Sequence, residues 1–251
     1  HVSCIDSPRV ADDFVEDMRK RYGEDSPAYH VRVLGNFPPS EEDTVIPVSL
    51  IEHAFNNVVK VHDDTPAVWG LDVARQGGDS SVLCKRQGPL IHPLTVWRNL
   101  DLMQLSGAVK AEYDNMPMSR KPAEIIIDSN GFGAGVLDRL RELGLPARGL
   151  NVSERAVAKQ TYLNLRAELW FKAKAWLEGM DVSLPKDDAL YAELAGPRYM
   201  FTSSGKIQVE SKESMKKRGI RSPDRADALC LALANDHTTM AFGSAATGAW
   251  N

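Results

Sequence analysis

The sequence predicts an α/β fold: a mixed central sheet in which an antiparallel three-strand meander is joined to parallel strands, with helices against its faces. Three observations carry this. Residues 67–98 hold three β-type runs, AVWGLDVAR, SVLCKRQ and LIHPLTVWR, separated only by turns, so successive strands reverse direction. Residues 123–152 then alternate strand, helix and strand in AEIIIDSNG, GAGVLDRLRELG and ARGLNV, the order that makes strands parallel. The runs AVWGLD and EIIID are apolar almost throughout, as in strands covered on both faces.

Residues 1–60 differ in character from the rest of the chain. RVADDFVEDMRKRYG fits a helix with Val10, Phe14, Val15 and Met18 on one stripe. SPAYHVRVLGNFPPSEEDTVIP, with four prolines and an acidic patch, reads as a strap or linker with little core of its own. A boundary near residue 60 therefore separates a connector, 1–60, from a domain, 61–251.

Within the domain, QGGDS is a tight turn in which Gly77 and Gly78 supply positive φ, and Gln87-Gly88-Pro89 joins the second and third strands. DLMQLSGAVKAEYDNM places Leu102, Leu105, Val109 and Tyr113 at helical spacing, and the helix in GAGVLDRLRELG stops at Gly144. TYLNLRAELWFKAKAWLEG is a long amphipathic helix with Tyr162, Leu165, Leu169, Ala173 and Trp176 on one stripe. YMFTSSGKIQVES is a hairpin turning at Ser204-Gly205, and SPDRADALCLALANDH is a last helix with Pro223 in its first turn. Trp69, Trp97, Trp170 and Trp176 fall on these stripes and are expected in the core.

The chain has 251 residues, 43% hydrophobic and 25% charged, an ordinary globular composition. No apolar run approaches the roughly 20 residues that span a bilayer, and HVSCIDSPRVADDF is no signal peptide, so a membrane partner is not expected. The opening on His1 instead of Met suggests a fragment or a processed chain. Cys4, Cys84 and Cys230 are odd in number and show no CxxC spacing. They point to a reducing compartment and against a disulfide framework or structural zinc. The net charge of −4 is uneven: residues 1–60 hold 11 acidic and 6 basic side chains, the remainder 23 and 24. The acidic total thus does not exclude a nucleic-acid partner for the second part.

Acids recur at comparable places. Asp72 lies in the first strand, Asp128 ends the fourth, and Asp224 and Asp227 open the last helix. A carboxylate among Val, Leu and Ile is costly unless its charge is compensated. A divalent cation compensates it well, since Mg²⁺ prefers carboxylate oxygen. Two such ions roughly 3.5–4 Å apart can hold both the attacking and the leaving oxygen of a phosphodiester. Each acid also has a local alternative. Asp128 could cap the next helix, Asp224 could favour the helix dipole, and Asp72 could pair with Arg75. Asp79, in the first hairpin turn, reads as a turn former.

In order of elements and placement of acids, the chain resembles the ribonuclease-H-like superfamily, including the Holliday-junction resolvases. More closely, GLDVARQGGDSSVL, IIIDSNGFGAGVLDRL and SPDRADAL resemble motifs of the nuclease domain of the large terminase subunit of tailed bacteriophages, and YGEDSPAYHVRVLGNFP with EDTVIP resembles that family's segment between motor and nuclease. The resemblance implies an endonuclease that cuts double-stranded DNA during viral genome packaging in the cytoplasm of an infected bacterial host. It implies Asp72, Asp128, Asp224 and Asp227 as catalytic metal ligands for two Mg²⁺ or Mn²⁺ ions, with Asp224 ahead of Asp227. It also implies a portal and a small terminase subunit as partners in the full assembly. The family's ATPase motor carries a GxxxxGK[ST] loop, and nothing in these residues matches it, so the ATPase motor domain is expected to be absent from this chain.

Two rival readings stand beside this one. GFGAGV after a strand suggests a dinucleotide-binding oxidoreductase, with Glu154 about 20 residues on as a ribose-binding acid. Gly131, Gly133 and Gly135 however give GxGxG, not GxGxxG, and the meander does not suit a doubly wound sheet. A non-catalytic DNA-packaging scaffold is opposed by the retention of every acid. Finally, KESMKKRGIRSPDR holds Lys212, Lys216, Lys217, Arg218, Arg221 and Arg225 directly before the last acids. Contact with DNA phosphates is expected of Lys216, Lys217, Arg218, Arg221 and Arg225, which would position a duplex without reading its sequence. A solvated face is the alternative.

Overall fold

Strand β1, Ala67–Asp72, lies at the centre of the sheet, and all six of its residues are buried. On one side it pairs antiparallel with β2, Ser81–Gln87, which sets Asp72 opposite Val82. On the other it pairs parallel with β5, Pro122–Asp128, with Leu71 opposite Ile127. β6, Ala147–Leu150, extends the parallel half. β3, Leu90–Ile91, and β4, Thr95–Trp97, both pair antiparallel with β2 at the opposite edge. The sheet is therefore mixed as the sequence predicts, in the order β3-β2-β1-β5-β6 with β4 also on β2. This computed structural model describes residues 44–74 and 79–234, with 4–6, 10, 12–22, 29 and 33–35 before them. The turn at Gly77-Gly78, Arg75 and the part of the expected last helix beyond residue 234 lie outside the described residues.

The single strand expected over LIHPLTVWR is two short pieces. Pro93 has no N–H to give to a ladder, so pairing breaks around it. His92 still donates to the Lys85 carbonyl at 2.9 Å, which keeps the two pieces on one edge.

Eight α-helices are described: α1 Asp12–Tyr22, α2 Val48–Asn56, α3 Leu102–Asp114, α4 Phe132–Glu142, α5 Leu165–Glu178, α6 Asp188–Ala195, α7 Lys212–Lys217 and α8 Asp224–Ala232. Asp101 caps α3, accepting the Gln104 N–H at 2.8 Å while the Gln104 side chain returns to its backbone, a capping box. The expected long helix starts at Leu165, later than Thr161, because Asn164 caps it by accepting the Ala167 N–H at 3.0 Å. Leu163 is thereby free to bond the Ile207 carbonyl at 2.9 Å in the hairpin of β7, Tyr199–Phe201, and β8, Ile207–Val209. Three helices, α2, α6 and α7, are not expected from periodicity; at nine, eight and six residues they offer too few turns for it.

Alternation along the central strands sorts the core into two layers. Trp69, Leu71, Leu83, Ile125 and Ile127 face Leu105 and Val109 of α3 and Val136, Leu137 and Leu140 of α4. Val68, Val82, Cys84 and Ile126 face the other way, into a cluster with α2, α5, α6 and α8. Trp69 and Trp170 are fully buried, one in each layer, and Trp97 and Trp176 are partly so. Val45, Ile46, Ile51, Ala54 and Phe55 are buried in the second layer, so the end of the 1–60 segment has core contacts with the domain.

The position of α8 depends on Gly70. A Cβ built there would overlap the Ala228 carbonyl oxygen and the Ala232 amide nitrogen, both backbone atoms of α8. Strand and helix thus meet backbone to backbone, closer than any side chain permits. Gly107 is the contrast: it is exposed in mid-α3 with no atom within 4 Å of an added Cβ. In urea denaturation, Gly70→Ala should destabilise the chain by about 1–3 kcal/mol through overpacking. Gly107→Ala should stabilise it by about 0.5–1 kcal/mol through helix propensity. A neutral Gly70→Ala would mean that α8 is not seated on β1 as described.

Candidate active site

Three separate segments deliver acids to one end of the sheet. Asp72 and Asp128 terminate neighbouring parallel strands, one step past the Leu71–Ile127 pair, and so stand side by side. α8, seated on β1 at Gly70, brings its first turn to the same end with Asp224 and Asp227. That turn lacks a side-chain cap of its own. Glu193, near the end of α6, supplies one from outside, accepting the N–H of Arg225 at 2.6 Å and of Ala226 at 3.1 Å. The four acids predicted from the sequence are thus brought together.

At their centre stands a lysine. The Lys212 ammonium lies 2.9 Å from Asp227 Oδ2, 3.8 Å from Asp72 Oδ2 and 3.8 Å from Asp224 Oδ1. Asp227 is further held by Trp170, whose Nε1–H donates to Oδ1 at 3.0 Å, and faces Arg166 Nη2 at 3.6 Å. Asp224 Oδ2 accepts the Ser80 N–H at 2.9 Å, and Asp128 Oδ1 accepts the Asn130 N–H at 3.2 Å. A cavity of about 50 Å³ opens between Asp72, Asp128, Asp227, Lys212, Arg166 and Trp170. Among the described residues, no three His, Cys, Asp or Glu side chains stand at the spacing of a bound metal ion. The carboxylates are spread around the ammonium instead.

The charges here are strongly biased by burial. Burial pushes the Asp72 carboxyl up to about 8, with Asp227, Asp224 and Asp128 adding to the shift and Lys212 opposing it. Burial also raises Asp128 and Asp224. Burial works against the charged form of Asp227 too, but Arg166 and Lys212 outweigh it and hold this carboxyl below the usual range. Burial likewise disfavours the Lys212 ammonium, yet the surrounding carboxylates more than compensate and raise its pKa. The result is an all-oxygen donor set with excess negative charge that already gathers round a cation. A hard divalent ion fits such a set.

Other expected residues have different surroundings. Asp79 lies outside the acid cavity, on an adjoining cleft of about 750 Å³ that Arg98, Lys216 and Arg221 also line. Lys216 and Lys217 are exposed on α7. Arg218, by contrast, donates to Glu210 Oε1 at 2.9 Å and to the Gly196 carbonyl at 3.0 Å. Arg225 pairs with Asp187 at 3.2 Å and Glu193 at 3.1 Å. Both guanidiniums therefore have protein partners. The contributions of Arg166, Trp170 and Lys212 to the acid cluster are not evident in the sequence. Lys212 is one of six cations in its run, and the Arg166–Trp170 spacing of one helical turn is the sole local signal. The glycines of GFGAGV have local packing roles. Gly131 takes φ of 57° and a Cβ on Gly133 would overlap the Asp128 carbonyl oxygen, which folds the start of α4 tightly over the strand end.

A mixed sheet in this order, with acids ending its two neighbouring central strands and opening the helix that crosses them, is a ribonuclease-H-like fold. Within it, the chain is similar in sequence and in fold to large terminase subunits and their nuclease domains. A probable terminase large subunit of Enterobacteria phage P7 is 26% identical over 243 residues, an alignment covering 91% of this chain and 49% of that protein. The chain spans about half the length of this curated relative. The nuclease domain of the large terminase subunit gp2 of bacterial virus Sf6 superposes with a TM-score of 0.65 at 20% identity, covering 76% of this chain and 99% of that one. The large terminase nuclease of thermophilic phage G20c, solved with bound magnesium, gives 0.59 at 18% identity, covering 78% and 99%. No family model matches the chain.

Because the Asp72 carboxyl is raised in the folded state, its ionisation opposes folding. Its contribution is harmless below the unfolded value of 3.8 and grows as pH rises towards about 8. In chelator, Asp72→Asn should therefore raise the melting temperature at pH 8 by at least about 2 °C, the size of a 1 kcal/mol effect in a chain of this length. At pH 4 the two proteins should melt nearly together. A loss of stability in the variant at pH 8 would assign Asp72 a purely structural ion pair.

Proposed function

We propose that this chain is the nuclease part of a terminase large subunit, a divalent-metal-dependent endonuclease that hydrolyses double-stranded viral DNA during genome packaging. The observation that carries the reading is the convergence of four carboxylates from three chain segments on one end of the sheet, three of them within 4 Å of one ammonium. The similarity to terminase nuclease domains supports it. Residues 1–60 are read as the connector to an ATPase motor, with a portal and a small terminase subunit as partners in the assembly and the host cytoplasm as its setting.

Asp72, Asp128 and Asp224 are the residues we assign to hold Mg²⁺ or Mn²⁺, with two ions in the full site. Held by these carboxylates, a divalent ion would supply Lewis-acid chemistry towards a water and towards the charge on the phosphate. The residues of the chain do the rest. Ser80 and Asn130 orient the carboxylates of Asp224 and Asp128 through their backbone N–H groups. Glu193 fixes the first turn of α8. Lys212 yields its place among the acids and remains beside them as a cation for the substrate phosphate. Leu169 and Leu231 form part of the apolar wall of the cavity. No Ser–His or Cys–His pair is invoked, so no covalent enzyme intermediate forms.

Purified chain should nick or linearise plasmid with Mg²⁺ or Mn²⁺ and do so with little sequence preference. Cleavage that persists in chelator would refute the reading. Asp72→Asn, Asp128→Asn and Asp224→Asn should each abolish cleavage while retaining the fold by circular dichroism.

The exposed lysines of α7 are assigned to phosphate contact, and Arg221 on the cleft wall with them. Lys216→Glu with Lys217→Glu should weaken duplex binding and flatten its log–log salt dependence by about 0.9 for each phosphate no longer neutralised, at unchanged melting temperature. Arg218→Ala should act differently. It leaves the buried Glu210 carboxylate without its main partner and should cost about 1–3 kcal/mol of stability. An unchanged salt slope in the double lysine variant would leave α7 a solvated face.

A further inference from the structure

Among the described residues, Arg166 is the one guanidinium in the acid cluster, and its hydrogen bonding is incomplete. Nη1 donates to the Glu210 carbonyl at 2.7 Å, two residues ahead of Lys212. Nε and Nη2 are buried and have no hydrogen-bond partner. Nη2 faces Asp227 Oδ1 at 3.6 Å, beyond hydrogen-bond reach, while Lys212 holds the other oxygen of the same carboxylate at 2.9 Å. A buried charged donor left unpaired is costly. One small movement removes that cost: if Lys212 releases Asp227, the carboxylate can close onto Arg166 and take up the idle N–H groups.

We propose that Arg166 is a positioning residue that captures Asp227 when Lys212 withdraws and so keeps this carboxylate out of the ligand set of an incoming metal. The inference rests on the metal-site reading above, and only its activity arm rests on the nuclease reading. The two cations divide the labour. Lys212, at the end of a long stem that is 44% exposed, is free to leave. Arg166, 16% exposed, stacked beside the Trp170 ring at 5.9 Å and tied to the backbone at Glu210, is not. Without Arg166, Asp227 would keep only the Trp170 N–H and would turn towards the metal as an extra ligand. An added carboxylate tightens binding and fills a coordination position that water or phosphate needs.

The test uses Tb³⁺ as the probe. Trp170, hydrogen-bonded to Asp227, is close enough to sensitise Tb³⁺ luminescence from the acid cluster. Arg166→Gln should bind Tb³⁺ at least about threefold more tightly than the unchanged chain, since a like charge is removed and a ligand freed. It should cleave plasmid with Mg²⁺ at least about tenfold more slowly. In the Asp227→Asn background, Arg166→Gln should change Tb³⁺ affinity by clearly less than in the parent, which is the coupling that a double-mutant cycle reads. Arg166→Lys keeps the charge but cannot span Glu210 and Asp227 together, so its tightening should be smaller. Unchanged or weaker Tb³⁺ binding by Arg166→Gln overturns the proposal, as does an equal gain with and without Asp227. Should Arg166→Gln fail to fold, Arg166→Lys carries the same cycle, and an affinity equal to the parent's overturns it. Should the parent chain fail to cleave DNA, the nuclease reading falls and the Tb³⁺ cycle still decides the role of Arg166.

Discussion

The backbone contact between α8 and β1 at Gly70 governs the rest of the molecule. With no side chain between them, the helix lies close enough to the strand for its first turn to reach the strand's end. The second core layer closes over that contact, with α5 and α6 packed against α8. A single methyl at residue 70 would push Asp224 and Asp227 away from Asp72 while leaving every charged residue present. Geometry at an apolar position thus controls an electrostatic site, and Glu193 completes the arrangement by fixing the open end of α8 from a neighbouring helix.

What gathers at that end is an excess of carboxylates restrained by two resident cations of different kinds. Lysine is a compact charge on a flexible stem, whereas arginine is a planar fork that stays where its several donors are held. The site uses both properties. Asp72 has burial and three like charges against its ionisation, and Asp227 has Arg166, Lys212 and Trp170 in favour of it. Four chemically identical side chains are thereby made unequal by their surroundings.

Most of the fold is legible in the sequence because strands buried on both faces leave continuous apolar runs and because turn glycines punctuate them. The acids are legible for a related reason, since a carboxylate inside such a run at Asp72 or at its end at Asp128 contradicts its surroundings. Asp224 and Asp227 are readable by their place ahead of an apolar helix. Pairwise side-chain chemistry is not legible. Arg218 and Arg225 look like Lys216 and Lys217 in the sequence, and only the positions of Glu210, Glu193 and Asp187 distinguish them. Arg166 meets Asp227 from 61 positions away, beyond any local pattern. The short helices α2, α6 and α7 escape because one or two turns carry no period. The third strand reads too long because its apolar residues continue on both sides of Pro93, while the ladder does not.

The interruption at Pro93 has a consequence at the level of many molecules. A long, flat strand edge is a template on which another chain can add its own strand. Here one border of the sheet is cut into pieces of two and three residues, and the other border, Ala147–Leu150, is four residues long and half-buried. Neighbouring copies find little continuous backbone to pair with. Several such domains can therefore be crowded side by side without their sheets fusing into one.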